Sequence, residues 1–112
     1  MEDSAVLVEY TVGDLKLEVA AQKAYVNERP LALSSKGFLI LHSLALRIHQ
    51  DRPRRIAKEE LLFNLYGPQE HWPKSNSFDV LLNRLRGALM DAQSEWEIIP
   101  VRKSGYELSK RQ

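Results

Sequence analysis

Residues 75–106 must form a helix followed by a two-stranded ribbon, and that order constrains the fold more than any other stretch of the chain. Turned at about 100° per residue, Phe78, Leu82, Leu85 and Leu89 fall within one narrow arc. Such a stripe buries one side of a helix against a core. The other side then carries Asn76, Val80, Asn83 and Gly87, with Arg84 on its flank. Arginine, asparagine and a small apolar group are the side-chain types that read guanine, adenine and the thymine methyl in duplex DNA. The ribbon pairs 96–101 with 106–108 and turns through 102–105, placing Arg102 and Lys103 at its tip. Cations there can enter a narrow groove or meet phosphate. The arrangement is a binding device rather than a catalytic one, and DNA is the first expectation. The plainer alternatives are a solvated helix face and a charged turn that keeps a hairpin soluble.

Upstream, the pattern changes period. Leu15, Leu17 and Val19 face one way while Lys16 and Glu18 face the other, as in a half-buried strand. Val12-Gly13-Asp14 and Asn27-Glu28 are turn signals. Strands are therefore expected at 6–10, 15–19, 24–26 and 31–33, in a small antiparallel sheet. Ser34 or Ser35 can cap a long helix by accepting from its free first-turn amides. Phe38, Leu41, Leu44, Ala45 and Ile48 give that helix its apolar stripe, ending near Gln50. A second helix is expected over 58–66, stopped by Gly67-Pro68. A loop over 67–74 then leads to the helix of the stretch 75–106, with Ser75 or Asn76 as its cap. The order is sheet, three helices, hairpin: an α+β fold.

The chain has 112 residues, which suits one domain over 1–112 with its core at about 6–109. No cysteine is present, so disulfides and thiolate metal sites are excluded, and a reducing cytoplasm is the compatible compartment. No apolar run approaches the roughly 20 residues of a membrane span, and the acidic start MEDSAVLVEY does not resemble a secretory signal. The formal net charge is only +1, so any cationic surface must come from distribution rather than excess. Residues 1–20 hold five acids against Lys16 alone, whereas 52–58 hold Arg52, Arg54, Arg55 and Lys58 with no acid. Arg54 or Arg55 could add a phosphate contact. A low net charge also keeps open a second reading, a protein-interaction module indifferent to DNA.

The stretches PLALSSKGFLIL, RIAKEELLFNLYG, FDVLLNRLRGAL and VRKSGYEL, in this order, resemble the OmpR/PhoB-type winged-helix DNA-binding domain of bacterial response regulators. The likeness covers about residues 13–109. The pattern Asp-Val-x-Ile/Leu-x-Arg-Leu-Arg is met by Asp79, Val80, Leu82, Arg84, Leu85 and Arg86, and the wing pattern by Val101, Arg102, Gly105 and Tyr106. The resemblance implies a four-stranded N-terminal sheet, a three-helix core and a C-terminal wing. It implies that the third helix enters the major groove and the wing the minor groove. Asn76, Ser77, Asn83, Arg84 and Arg86 would then face DNA, with Arg102 and Tyr106 from the wing. The loop 67–74 matches the segment that members use to touch RNA polymerase, with Trp72 as its anchor; the alternative is that Trp72 packs back onto the core. Pairs of domains on repeated half-sites, hence a homodimer on DNA, are also implied. The chain departs from the pattern at Ala57, Leu81, Gly87-Ala88, Pro100 and Lys103. No receiver domain is present, which suits an excised effector domain, a stand-alone member, or the effector of a membrane-tethered activator.

Catalysis and metal binding find no support. His42 and His49 share a helix and His71 lies in a loop, without cysteine or a carboxylate cluster beside them. Glu59 and Glu60 suit the first turn of a helix as partners of its dipole. No nucleophile elbow or phosphate loop occurs. The expectation is a non-enzymatic protein without cofactor or metal.

Overall fold

The computed structural model describes residues 8–103 and 105–111. Four short strands open it: β1 (Glu9–Val12), β2 (Leu15–Glu18), β3 (Lys23–Val26) and β4 (Arg29–Pro30), antiparallel in that order. Tyr10, Val12, Leu15, Leu17, Ala24 and Val26 point into the core, so the period-2 pattern is realised. The limits differ from expectation at both ends of the sheet. Val6 and Leu7 lie outside the described residues. Val12 belongs to β1, and the reversal is made by Gly13 and Asp14 alone. Asn27 and Glu28 both have positive φ, 49° and 71°, giving a two-residue reversal that puts Arg29 directly opposite Val26. Pairing therefore starts at Arg29 instead of Leu31, although the Leu31 amide still donates to the Ala24 carbonyl at 2.9 Å.

Helix α1 (Ser35–His49) begins where Ser34 Oγ accepts from the Gly37 amide at 3.1 Å. Phe38, Ile40, Leu41, Leu44 and Ala45 are buried, and Ile48 is half-buried. Strand β5 (Ile56–Ala57) and helix α2 (Lys58–Tyr66) follow, and Gly67 at φ 82° ends α2. A 3₁₀ turn, Gln69–His71, interrupts the next loop. Helix α3 (Ser77–Asp91) has Asn76 at its N-cap position, but no side chain caps it. Asn76 has φ −87° and ψ 28° rather than the extended backbone that turns a cap side chain toward the first-turn amides. The Ser75 hydroxyl instead bonds the Ser77 hydroxyl at 2.6 Å.

Strands β6 (Trp96–Val101) and β7 (Gly105–Lys110) form the C-terminal hairpin, with Gly105 in the strand rather than the turn. β5 pairs with the far edge of β7, giving a three-stranded sheet in the order β5-β7-β6. Two residues carry too little alternation to announce β5. Helix α1 packs against strands of both sheets, and one cluster from Tyr10 to Leu108 forms the core.

The first turn is bolted to the end of α3. Asp14 accepts the Glu95 amide at 2.7 Å and the Ser94 hydroxyl at 3.0 Å, while its own amide donates to Glu95 Oε2 at 2.9 Å. The buried Trp96 indole donates to the Val12 carbonyl at 2.9 Å. Gly13 serves this junction twice. Its φ is 59°, and a Cβ there would overlap the Glu95 carboxylate and the Trp96 ring. The bolt fixes where α3 ends and β6 begins.

Candidate nucleic-acid interface

Helix α3 separates its faces as its periodicity requires. Phe78, Leu82, Leu85 and Leu89 are at most 3% exposed. Asn76, Val80, Asn83, Arg84 and Gly87 are open to solvent, and Ser77 is half-buried. Val80 is one of few large apolar side chains left exposed, at 37%. Among the described residues nothing lies within 4 Å of where a Gly87 Cβ would stand, so none of them requires glycine there. Its effect is a flat place on the helix beside Arg84.

Two cations absent from the sequence-based site flank Arg84. A shallow depression of about 420 Å³ is lined by Arg29, Pro30, Arg84, Gly87 and Asp91 among others. A second, of about 320 Å³, is lined by Lys36, Tyr66, Asn76, Ser77, Val80 and Arg84. Arg29 comes from the start of β4 and Lys36 from the first turn of α1. Neither carries a local pattern that would link it to α3; only the packing of the sheet and α1 brings them there.

Between helix and wing lies an aromatic bridge. Tyr106 tilts against Phe78 at 6.0 Å between ring centroids. The Arg86 guanidinium stands 6.0 Å over the Tyr106 ring, and Lys58 Nζ 5.5 Å over Phe78. Arg86 is already engaged: Nε donates to the Ile98 carbonyl at 3.2 Å and Nη1 to Asn83 Oδ1 at 3.4 Å. It links α3 to β6. At the tip, Arg102 and Lys103 are exposed, Arg102 with φ 56°. Of the cations in segment 52–58, Arg52 and Arg54 are exposed. Arg55, the alternative to Arg54 for a phosphate contact, is engaged by its own chain: its Nε and Nη2 donate to the carbonyls of Val101 and Lys103. Trp72 is half-buried against the core, its indole donating to the Gly67 carbonyl at 2.9 Å.

The family described as "Transcriptional regulatory protein, C terminal" matches residues 28–108, which runs from the β3–β4 turn through the wing. The chain belongs to this family. It is a winged-helix domain of the OmpR/PhoB type, a DNA-binding domain of transcription regulators rather than a member of an enzyme class. It is 35% identical over 99 residues to the two-component response regulator PhoP of Pseudomonas aeruginosa. That match covers 88% of this chain and 42% of the relative, so the chain spans well under half of the relative's length. Among solved structures, the Klebsiella pneumoniae RstA DNA-binding domain in complex with RstA box is similar at TM-score 0.67 and 25% identity, over 90% of this chain and 96% of that one. The DNA-binding domain of CpxR from E. coli has the same fold, at TM-score 0.66 and 23% identity over 89% and 94% of the two chains. The four-stranded sheet, three helices and wing therefore agree with the resemblance seen in the sequence motifs.

Proposed function

We propose that this domain binds duplex DNA sequence-specifically for a bacterial transcription regulator, with α3 in the major groove and the wing against the adjacent minor groove. The observation that carries the reading is the exposed α3 face of Asn76, Val80, Asn83 and Arg84, directly opposite a fully buried apolar stripe. The RstA domain, solved on its DNA box, has this architecture and supports the same docking here.

In this reading Arg84, Asn83 and Asn76 read base edges, Ser77 faces the groove, and Val80 meets a thymine methyl. Arg102 and Lys103 reach phosphate or the minor groove from the wing. Tyr106 supports the interface through Phe78 and touches backbone with its ring edge. Arg86 holds the wing to α3 and keeps one free nitrogen for a phosphate. Arg29 and Lys36 add phosphate contacts beside Arg84. One domain over 1–112, acting in the cytoplasm and pairing on repeated half-sites, completes the proposal. The loop 67–74 faces RNA polymerase, with Trp72 shaping it through Gly67 while Gln69, Glu70 and His71 stay exposed.

Fluorescence anisotropy with labelled duplex tests this directly. Binding should weaken with salt at a slope of about −0.9 per phosphate contact, hence roughly −3 to −5 for a domain this size. Absence of binding to any duplex at low salt would sink the reading and favour a protein partner on the same face.

A further inference from the structure

We infer that Arg55 is a positioning residue for the wing: its guanidinium brackets the β6–β7 turn and fixes where Arg102 and Lys103 are presented. The role rests on the proposal that the wing meets DNA, but its geometry can be tested without DNA.

Three features converge on Arg55. First, it donates to the carbonyls on both sides of Arg102. Nε reaches Val101 at 3.3 Å and Nη2 reaches Lys103 at 2.6 Å. Only a planar fork can hold two carbonyls in one fixed relation; a lysine ammonium is a single point. Second, the turn needs holding. Arg102 has φ 56°, a left-handed conformation that L side chains rarely adopt. Third, room is kept for the fork. A Cβ on Gly105 would overlap the Arg55 Nε and its guanidinium carbon, so any side chain there would push the fork out of place.

The anchor behind Arg55 is firm. Arg47 on α1 donates from Nη1 to the carbonyls of Pro53 at 3.0 Å and Arg55 at 3.2 Å. Its Nη2 pairs with Glu60 of α2 at 2.9 Å. The wing tip is thereby tied through Arg55 and Arg47 to α1 and α2, the body that carries α3. On the other side of the hairpin, Arg86 holds the Ile98 carbonyl of β6. Arg55 is thus the tether nearest the tip.

The experiment compares wild type, Arg55→Lys, Arg55→Ala and Gly105→Ala, each first shown to be folded by circular dichroism. Gly105→Ala displaces the fork while leaving Arg55 in the chain. The first readout is trypsin cleavage after Arg102 and Lys103, with amide exchange across 101–106. Losing two hydrogen bonds at the turn should speed both by about tenfold or more in all three variants. The second readout is affinity for duplex DNA. Arg55→Lys, which keeps the charge, should fail to restore it, and Arg55→Ala should add little to the loss caused by Arg102→Ala. Wing exchange and cleavage unchanged in Arg55→Ala would overturn the inference. Full affinity in Arg55→Lys would also overturn it, leaving only a charge effect. A loosened wing in a protein whose wild type binds no duplex would uphold the tether and overturn the DNA reading, so the two failures are distinguishable.

Discussion

Replacing Asp14 with alanine removes two acceptors from one junction, and the structure sets the size of the loss. Oδ2 accepts the Glu95 amide at 2.7 Å and Oδ1 the hydroxyl of Ser94, which is only 3% exposed. Hydrogen bonds to a charged acceptor contribute about 1.5–3 kcal/mol each. Glu95 is half-buried, so water can replace part of what its amide loses. The Ser94 hydroxyl still accepts the Trp96 amide at 3.1 Å but has no partner left to donate to. The net cost should be about 3 kcal/mol, near the low end of the sum. In a domain of this size that lowers Tm by roughly 12 °C. Urea titration followed by circular dichroism measures it, with Asp14→Asn expected to fall between the two because one acceptor remains. Asp14→Ala and Ser94→Ala share a bond, so the double variant should lose less than the sum by about 1 kcal/mol. A loss under about 0.5 kcal/mol at unchanged m, or strict additivity, would refute the claim that this bolt joins the sheet to α3.

Other outcomes follow from the same geometry. Arg84→Ala should weaken specific DNA binding by about 1–3 kcal/mol, and an unchanged isotherm would remove Arg84 from the interface. Trp96→Phe leaves the buried Val12 carbonyl without its 2.9 Å donor and should cost about 1–3 kcal/mol in a urea melt; a neutral substitution would show that water reaches that carbonyl. Stability should also depend on pH through His42, whose Nδ1 lies 2.7 Å from the Tyr10 hydroxyl. Burial holds the imidazole below its ordinary value of 6.5. The folded state thus disfavours the protonated ring. Stability is complete above pH 6.5, declines as pH falls from there toward the lower folded value, and levels off beneath it. Urea midpoints at stepped pH should show this decline, reduced in His42→Gln; the same decline in both proteins would assign it elsewhere.

The parts of this fold that were readable in the sequence are those with local causes. Four leucine and phenylalanine positions at helical spacing located α3 and its buried side, and the serine pair Ser34-Ser35 located the start of α1, where Ser34 is the cap. What depends on distant partners was not readable. β5 exists because Ile56 and Ala57 lie beside Tyr106 and Gly105, about 50 residues away, and two residues show no period. Pairing in β4 starts earlier than its apolar residues suggest, because the positive φ of Asn27 and Glu28 sets the register. The same limit applies to the site. The exposure of Asn83 and Arg84 on the open side of α3 was legible from their helical angle alone. Arg29 and Lys36 reach Arg84 only through tertiary packing, and Arg55 looked like a free cation until the wing carbonyls stood beside it. A cation's sequence context does not say whether a carbonyl of its own chain or a phosphate will take its hydrogen bonds.

The central claim is that the open face of α3 reads base sequence, and selection of bound duplexes from a random pool tests it most directly. The account predicts enrichment of a defined motif, repeated at fixed spacing where two domains bind together. It also predicts that Arg84→Ala relaxes the preference at one or two positions of that motif while leaving the rest. A pool that stays random at low salt, or a motif that Arg84→Ala leaves unchanged at every position, would contradict it.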